Sequence, residues 1–565
     1  MRTTRRLSLA ATIAALALLA SGCSSSASAG ASQSPSASAS AVSAKVDYNP
    51  QSYDNLKDGG TYTSGGSFSG DDTQGLPWNV NASLTGARIW AWYNPVAITF
   101  SPSGDVQINK DYYTDATSAT VNGKQVVTIT INPKASYNDG TPIDWHSIEA
   151  TWKVNNGSNK NYKVGGTSGF DQIESVKRGI DDRQAVVTFA QPYSAWPALF
   201  ARFINPEAAS EDDFNNAYSN RLQPQWGAGP FTVESYDQNS KQIVFTRNPR
   251  WWGRTAKLDK RIYLDLGSQS AINAFKNGQI DYTGLSTAEA LNQAKGTPGT
   301  EIRQGGSPFE YYLFANGRSE VLKDVDVRHA VFAAVNRAEI AQIEFQGLNY
   351  SEPLPGSSIY YGFQKGYQDN VSKVLSYSTD QAGQILDKAG WKVGSDGIRT
   401  KDGKALEVNY VLFGDDPLDK AVAQSLVASE KKAGIKVNIQ ATDSSEWAST
   451  INGGKFDLVL SGNRSLDPYG SYSLSGFYSS DSESNITGIG TPEIDQEIKR
   501  VNAIADPAEQ IEQANAVEQK ALALYGVLPL YSGPSTYAVK KGLANVGATI
   551  FYSPLPEEIG WQKGV

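Results

Sequence analysis

Residues 227–253 read GAGPFTVESYDQNSKQIVFTRNPRWWG. Gly227, Gly229 and Pro230 predict a turn, and 231–236 then alternates apolar and polar as a half-buried strand does. Asp237, Asn239 and Ser240 supply turn chemistry. Residues 241–247 return as a second strand with Ile243 and Phe245 on one face. Asn248-Pro249 ends the ladder, because proline brings no N–H, and Trp251-Trp252-Gly253 follows. The stretch predicts a hairpin closed by an aromatic cluster, with Trp251 and Trp252 packing rather than binding.

Working outward, the amino-terminal end reads as a targeting segment. Arg2, Arg5 and Arg6 form a positive region, and 7–20 is apolar but too short to span a bilayer. Leu19-Ala20-Ser21-Gly22-Cys23 has the small residues that precede a lipidated cysteine, and Cys23 is the only cysteine in 565 residues. Residues 1–22 are expected to be a signal peptide and 23–44 a lipidated Cys23 with a Ser/Ala tether, too poor in apolar side chains to fold. The pair Arg5-Arg6 leaves Sec and twin-arginine export both open.

Composition narrows the rest. A chain with 40% hydrophobic residues and no disulfide pair must rest on its cores. Its formal charge is −8, and loss of residues 1–22, with three arginines and no acid, takes it to −11. That sign argues against nucleic acid. His146 and His329, the two histidines, lie far apart, so no His/Cys metal cluster and no cofactor is expected. Trp78, Trp90, Trp92 and Tyr93 fall in a Gly/Ser/Asn-rich, strand-like region from Tyr62 to Trp92. Each ring alone reads as core or hinge packing; as a group they could line a cleft.

Further along, 126–131 alternates as a strand and Asp144 caps a helix carrying Trp145, Ile148 and Trp152. Ser268 caps a short helix that Gly278 stops before Ile280-Asp281-Tyr282. The segment 310–316 (EYYLFAN) reads as a strand and 324–338 (DVDVRHAVFAAVNRA) as one helix, with His329 on its face. Beyond it helix and strand alternate. Thr379 caps a helix ended by Gly390-Trp391, 406–412 is a strand, and 418–433 a helix stopped by Gly434. Residues 435–439 and 456–460 are strands, and Thr491-Pro492 and Asp506-Pro507 open helices. Strands separated by helices imply a partly parallel α/β lobe.

In order, Y-N-D-G-T-P, G-x-G-P-F, R-N-P-x-W-W-G, the A-x-x-x-G-x-I-D step, D-V-R with N-R, and L-x-x-A-G-W resemble the phrases of the extracytoplasmic solute-binding proteins, family 5, of peptide-type ABC importers. The resemblance implies a two-lobed α/β fold of the periplasmic-binding-protein type (type II, cluster C). It would have an extra domain in the first lobe and a hinge between lobes. Lobe 1 would cover 45–308 with the extra domain at about 95–226, lobe 2 309–531, and 532–565 would return to lobe 1. Closure over a ligand is then a population shift.

In dipeptide- and oligopeptide-binding relatives, an aspartate four residues before the proline of a D-x-x-[DEN]-P loop holds the peptide amine. Here that position is Arg464, in 461–468 (SGNRSLDP). The position of an arginine for the peptide carboxylate is Phe413. Both end-clamps of a dipeptide site are absent, while Trp447 matches a tryptophan near the pocket. Arg464 either pairs with Asp467 or Asp457, or faces the cleft and attracts carboxylate, phosphate or sugar hydroxyls. Asn463, Tyr469, Tyr472, Trp90, Trp92, Tyr93 and Asn316 complete the expected ligand-binding set.

The implied function is capture of oligopeptides for an ABC permease by a monomer, lipid-anchored on the outer face of the cytoplasmic membrane. The alternative keeps the fold and takes an oligosaccharide or glycolipid headgroup. A secreted hydrolase is disfavoured, since no G-x-S-x-G elbow and no paired histidines occur.

Overall fold

Phe231–Asp237 and Gln242–Arg247 pair antiparallel, as the turn chemistry dictates, in the computed structural model, which describes residues 44–66, 68, 75–82, 84–465, 467–482 and 484–565. Asp237 Oδ1 accepts from the amides of Asn239 (2.8 Å) and Ser240 (3.3 Å), and Lys241 takes φ 51° to close the loop. A bulge between Val233 and Ser235 twists the first strand. Ile243 and Phe245 are buried with Phe231, Leu258 and Tyr263.

The hairpin forms the edge of a seven-stranded sheet. Its spatial order is Thr300–Gly306, Pro534–Lys540, Tyr282–Gly284, Thr61–Gly66, Lys260–Asp265, Gln242–Arg247 and Phe231–Asp237. Thr61–Gly66 pairs parallel with Lys260–Asp265, while the hairpin and Pro534–Lys540 run antiparallel to their neighbours. A second sheet of five strands orders Lys436–Thr442, Glu407–Phe413, Leu458–Arg464, Phe309–Ala315 and Val527–Tyr531. Its first three strands are parallel, as the alternation of helix and strand required. Each sheet carries its own core, Leu313, Val331, Val408, Leu426 and Val459 among the buried side chains of the second. These are the two lobes.

A four-stranded antiparallel sheet, Tyr113–Val121, Lys124–Ile131, Gln184–Phe189 and Ile173–Arg178, forms the extra domain of lobe 1. The helix Trp145–Asn155, capped by Asp144 through the His146 amide, packs on it with Ile148 inward. Trp251 and Trp252 tie the hairpin to this domain. Their rings flank Tyr112 at 5.6 and 5.5 Å, and Trp252 Nε1 donates to Asp111 O at 2.7 Å.

Two expectations need correction. The region from Tyr62 to Trp92 is not strand throughout: after Thr61–Gly66 the chain forms the helix Leu84–Tyr93. Ile89, Trp92 and Tyr93 share one face at helical spacing, but the apolar pair Trp90 and Trp92 mimics a period of two. The single helix over 324–338 is two, Val325–Ala334 and Arg337–Glu344. Val335 is extended, and Asn336 caps the second helix through the Glu339 amide. His329 stacks on Tyr525 at 4.1 Å, and His146 sits exposed beside Asp144.

Candidate functional site

Two strand pairs carry the chain between the sheets. Thr300–Gly306 leads through Ser307-Pro308 into Phe309–Ala315, and Val527–Tyr531 leads through Ser532-Gly533 into Pro534–Lys540. The crossings run side by side, with Gly306 opposite Pro534 in one sheet and Tyr311 opposite Tyr531 in the other. Glu352 clamps the second crossing: its carboxylate accepts from the amides of Ser532 (2.6 Å) and Gly533 (3.1 Å). This is the hinge.

Next to the hinge lies a cavity of about 550 Å³ between the lobes. Lobe 1 contributes Gly65, Gly66, Gly284 and Tyr537, and lobe 2 contributes Phe309, Tyr311, Glu344, Arg464 and Tyr531. A second cavity of about 290 Å³ shares Gly65, Gly66, Arg464 and Tyr537 with the first and extends to Arg88, Trp92, Arg261 and Tyr282. The two form one cleft that meets at Arg464. A larger cavity of about 720 Å³ lies at the opposite edge of lobe 2, among charges of both signs, and does not touch lobe 1.

Charge in the cleft is sorted. Arg464 ends the strand Leu458–Arg464, and Arg88 projects from the helix Leu84–Tyr93. Among the described residues neither has a hydrogen-bonded or ion-paired carboxylate, and both line the smaller cavity. Burial, then the charge of Arg88, lowers the pKa of the Arg464 guanidinium. Arg261 is occupied instead: it donates to Ser64 Oγ at 2.5 Å and to Tyr62 O at 3.2 Å, and lies over the rings of Tyr62 (4.0 Å) and Tyr263 (3.6 Å). Tyr282 and Tyr537 stack at 4.9 Å beside the arginines. On the other side of the 550 Å³ interlobe cavity Glu344 has one buried carboxylate oxygen without a partner. Burial first, then Asp419, pushes its carboxyl up to about 7.

The helix holding Arg88 is positioned by the opening turn. Its carboxyl end accepts from the amides of Ala228 (2.9 Å) and Gly229 (3.0 Å), both at Tyr93 O. A Cβ on Gly229 would stand 2.8 Å from the Tyr93 carbonyl carbon and 2.9 Å from Trp92 O, so only glycine allows this approach.

The expected binding residues separate into three groups. Arg464 and Trp92 line the cleft. The pairing of Arg464 with Asp467 or Asp457 does not form. Asp457 is taken by Ser319 and Asn409, and Asp467 accepts from the Tyr469 amide at 2.9 Å. Tyr469 and Tyr472 face the extra domain rather than the cleft. Tyr472 accepts from the Ser194 amide at 3.1 Å and meets the Tyr193 ring at 4.5 Å, and Tyr469 meets Phe100 edge-on at 5.9 Å.

The remaining residues lie away from both cleft cavities. Trp90 and Tyr93 are wholly buried core, with Trp90 among Trp78, Tyr93 and Tyr218. Asn316 donates to Gly454 O and Phe456 O at the distal edge of lobe 2. Trp447 opens a short helix and is exposed, Phe413 ends its strand half-buried, and Asn463 pairs with Glu310 in the sheet. Arg88 and Glu344 were not anticipated. A cation on the apolar helix 84–93 and an acid at the end of 337–344 were the available signals.

A sequence profile of the bacterial extracellular solute-binding proteins, family 5 (middle region), matches residues 115–485. The oligopeptide-binding protein OppA of Mycobacterium tuberculosis is 35% identical over 541 residues, covering 94% of this chain and 90% of OppA. From the same organism, the "Probable monoacyl phosphatidylinositol tetramannoside-binding protein LpqW" is 22% identical over 67% of this chain and 64% of its own length. Among solved structures, the periplasmic EDTA-binding protein EppA superposes with TM-score 0.81 at 21% identity, covering 92% of this chain and 98% of EppA.

Proposed function

The chain belongs to the bacterial extracellular solute-binding proteins of family 5, and from that premise we propose that it captures oligopeptides in the interlobe cleft for an ABC permease. The observation that carries this reading is the cleft beside the hinge in a chain similar to OppA over nearly its whole length. Gly65, Gly66, Gly284, Gly533 and Ser535 line it, so a ligand main chain can approach the walls closely while its side chains stand in the wider space. Water filling that space would tolerate varied side chains. Ligand touching both lobes favours the closed population, the form a permease would read.

We place the protein on the membrane surface through a lipid on Cys23, which lies outside the described residues, and we read it as a monomer. No helix among the described residues is long and apolar enough to cross a membrane. Cys23→Ala should release the protein into the medium; retention at the membrane would overturn the anchor. For the ligand, mass spectrometry of co-purified material and calorimetry with defined peptides give the test. Bound peptides and measurable peptide affinity are expected. A bound glycan with no peptide would overturn the peptide reading in favour of an oligosaccharide or glycolipid headgroup.

A further inference from the structure

Arg88, exposed on its helix, and the half-buried Arg464 lack the partners that this chain gives to several of its sheltered cations. Arg399 pairs with Asp387, Arg303 with Glu301 and Lys257 with Asp58. Arg328 donates to the carbonyls of Leu322, Lys323 and Leu524, and Arg183 to those of Ala135 and Ile143. Arg261 has its serine, its carbonyls and its rings. The two cleft arginines have none of these among the described residues, and they come from opposite lobes.

We propose that a ligand carboxylate bridges Arg88 of lobe 1 and Arg464 of lobe 2, so that closing the cleft is coupled to an anionic group on the ligand. Without ligand, closure brings two guanidinium charges toward one small cavity, and their repulsion opposes it. A carboxylate between them converts that repulsion into two charge-assisted contacts, one from each lobe. The walls suit the role. Tyr62, Tyr282 and Tyr537 line the smaller cavity with phenol rings and no carboxylate stands among its lining residues, and Trp92 closes the apolar side. The Leu84–Tyr93 helix is fixed by Ala228 and Gly229 and the Leu458–Arg464 strand by its sheet, so both cations are carried on rigid elements. The inference rests on the peptide reading for the ligand that supplies the carboxylate: a free carboxyl terminus, or an acidic side chain.

Calorimetry on the full-length protein, with four- to six-residue peptides made as free acids and as carboxyl-terminal amides, tests it. A matched set would carry one glutamate and an amidated end. Amidation should weaken binding about ten- to hundredfold, and the glutamate should restore it if a side chain is the source. In Arg464→Gln and in Arg88→Gln the acid and amide should bind alike. Small-angle scattering should show closure with the acid and not with the amide. Equal affinity of acid and amide for the native protein overturns the bridge and leaves peptide binding intact. If no peptide binds in any form, the peptide reading fails. Citrate then decides: binding that is lost in Arg464→Gln sustains the arginine pair as a carboxylate site, and no citrate binding overturns it.

Discussion

The Ser194 amide donates to the Tyr472 hydroxyl at 3.1 Å and thereby joins the extra domain of lobe 1 to lobe 2 far along the chain from the hinge. Gln510 completes the seam: it accepts from Ser194 Oγ at 2.6 Å and donates to the same Tyr472 oxygen at 3.0 Å. Opening about the hinge must break this set. Tyr472→Phe keeps the ring against Tyr193 but removes the acceptor. It is expected to weaken ligand binding by about two- to tenfold and to enlarge the ligand-free protein in small-angle scattering. Unchanged scattering and affinity would show that the seam does not govern closure.

At the hinge, Glu352 holds two adjacent amides with one carboxylate. Glu352→Ala orphans both and should cost about 1–3 kcal/mol in denaturant unfolding. Both amides meet the same oxygen, so Glu352→Gln, whose amide oxygen can still accept from them, should cost less. Hydrogen exchange at Ser532 and Gly533 reports the loss directly.

Gly229 gives a backbone test of the site. Gly229→Ala places a methyl against the backbone of Trp92 and Tyr93 and should destabilise the protein by about 1–3 kcal/mol while shifting the helix that carries Arg88. Gly166→Ala, where a Cβ meets nothing within 4 Å, is the control and should leave melting and ligand affinity in place.

Glu557 makes stability depend on pH. It is 3% exposed, and burial pushes its carboxyl up to about 8 from 4.5, with Asp111 and Glu558 adding to the rise and its own amide and Arg254 opposing it. The folded form keeps a proton that the unfolded chain has released between those values. Stability is therefore present below about 4.5 and falls as pH rises toward 8. Glu557→Gln should flatten this fall, gaining up to about 4 kcal/mol at pH 8 and nothing at pH 4. Parallel melting curves for the two proteins at both pH values would contradict it.

Local chemistry explains what the sequence disclosed. The hairpin was legible because Asp237 and Lys241 settle its loop within a few residues, and Asp144, Asp324, Thr491 and Asp506 each cap the helix they precede. Arg464 stood out because a cation replaced an expected acid in a short loop. The partners of Tyr469 and Tyr472 were not legible, since an aromatic pair suited to stacking looks the same whether it meets a ligand or Phe100 and Tyr193. Nor was Arg88, since its helix was hidden by the alternation of Trp90 and Trp92, and its opposition to Arg464 exists only once the lobes are in place.

The strand Pro534–Lys540 lies between Thr300–Gly306 and Tyr282–Gly284, although it follows them by more than two hundred residues. A chain emerging amino end first therefore has every strand of lobe 2's sheet by residue 531, while lobe 1 still has a vacant slot in its own. The lobe begun first is finished last. A product cut short after Tyr531 would hold a complete second lobe beside a first whose strand Thr300–Gly306 is not joined to the other five, with two strand edges open to pairing with another chain.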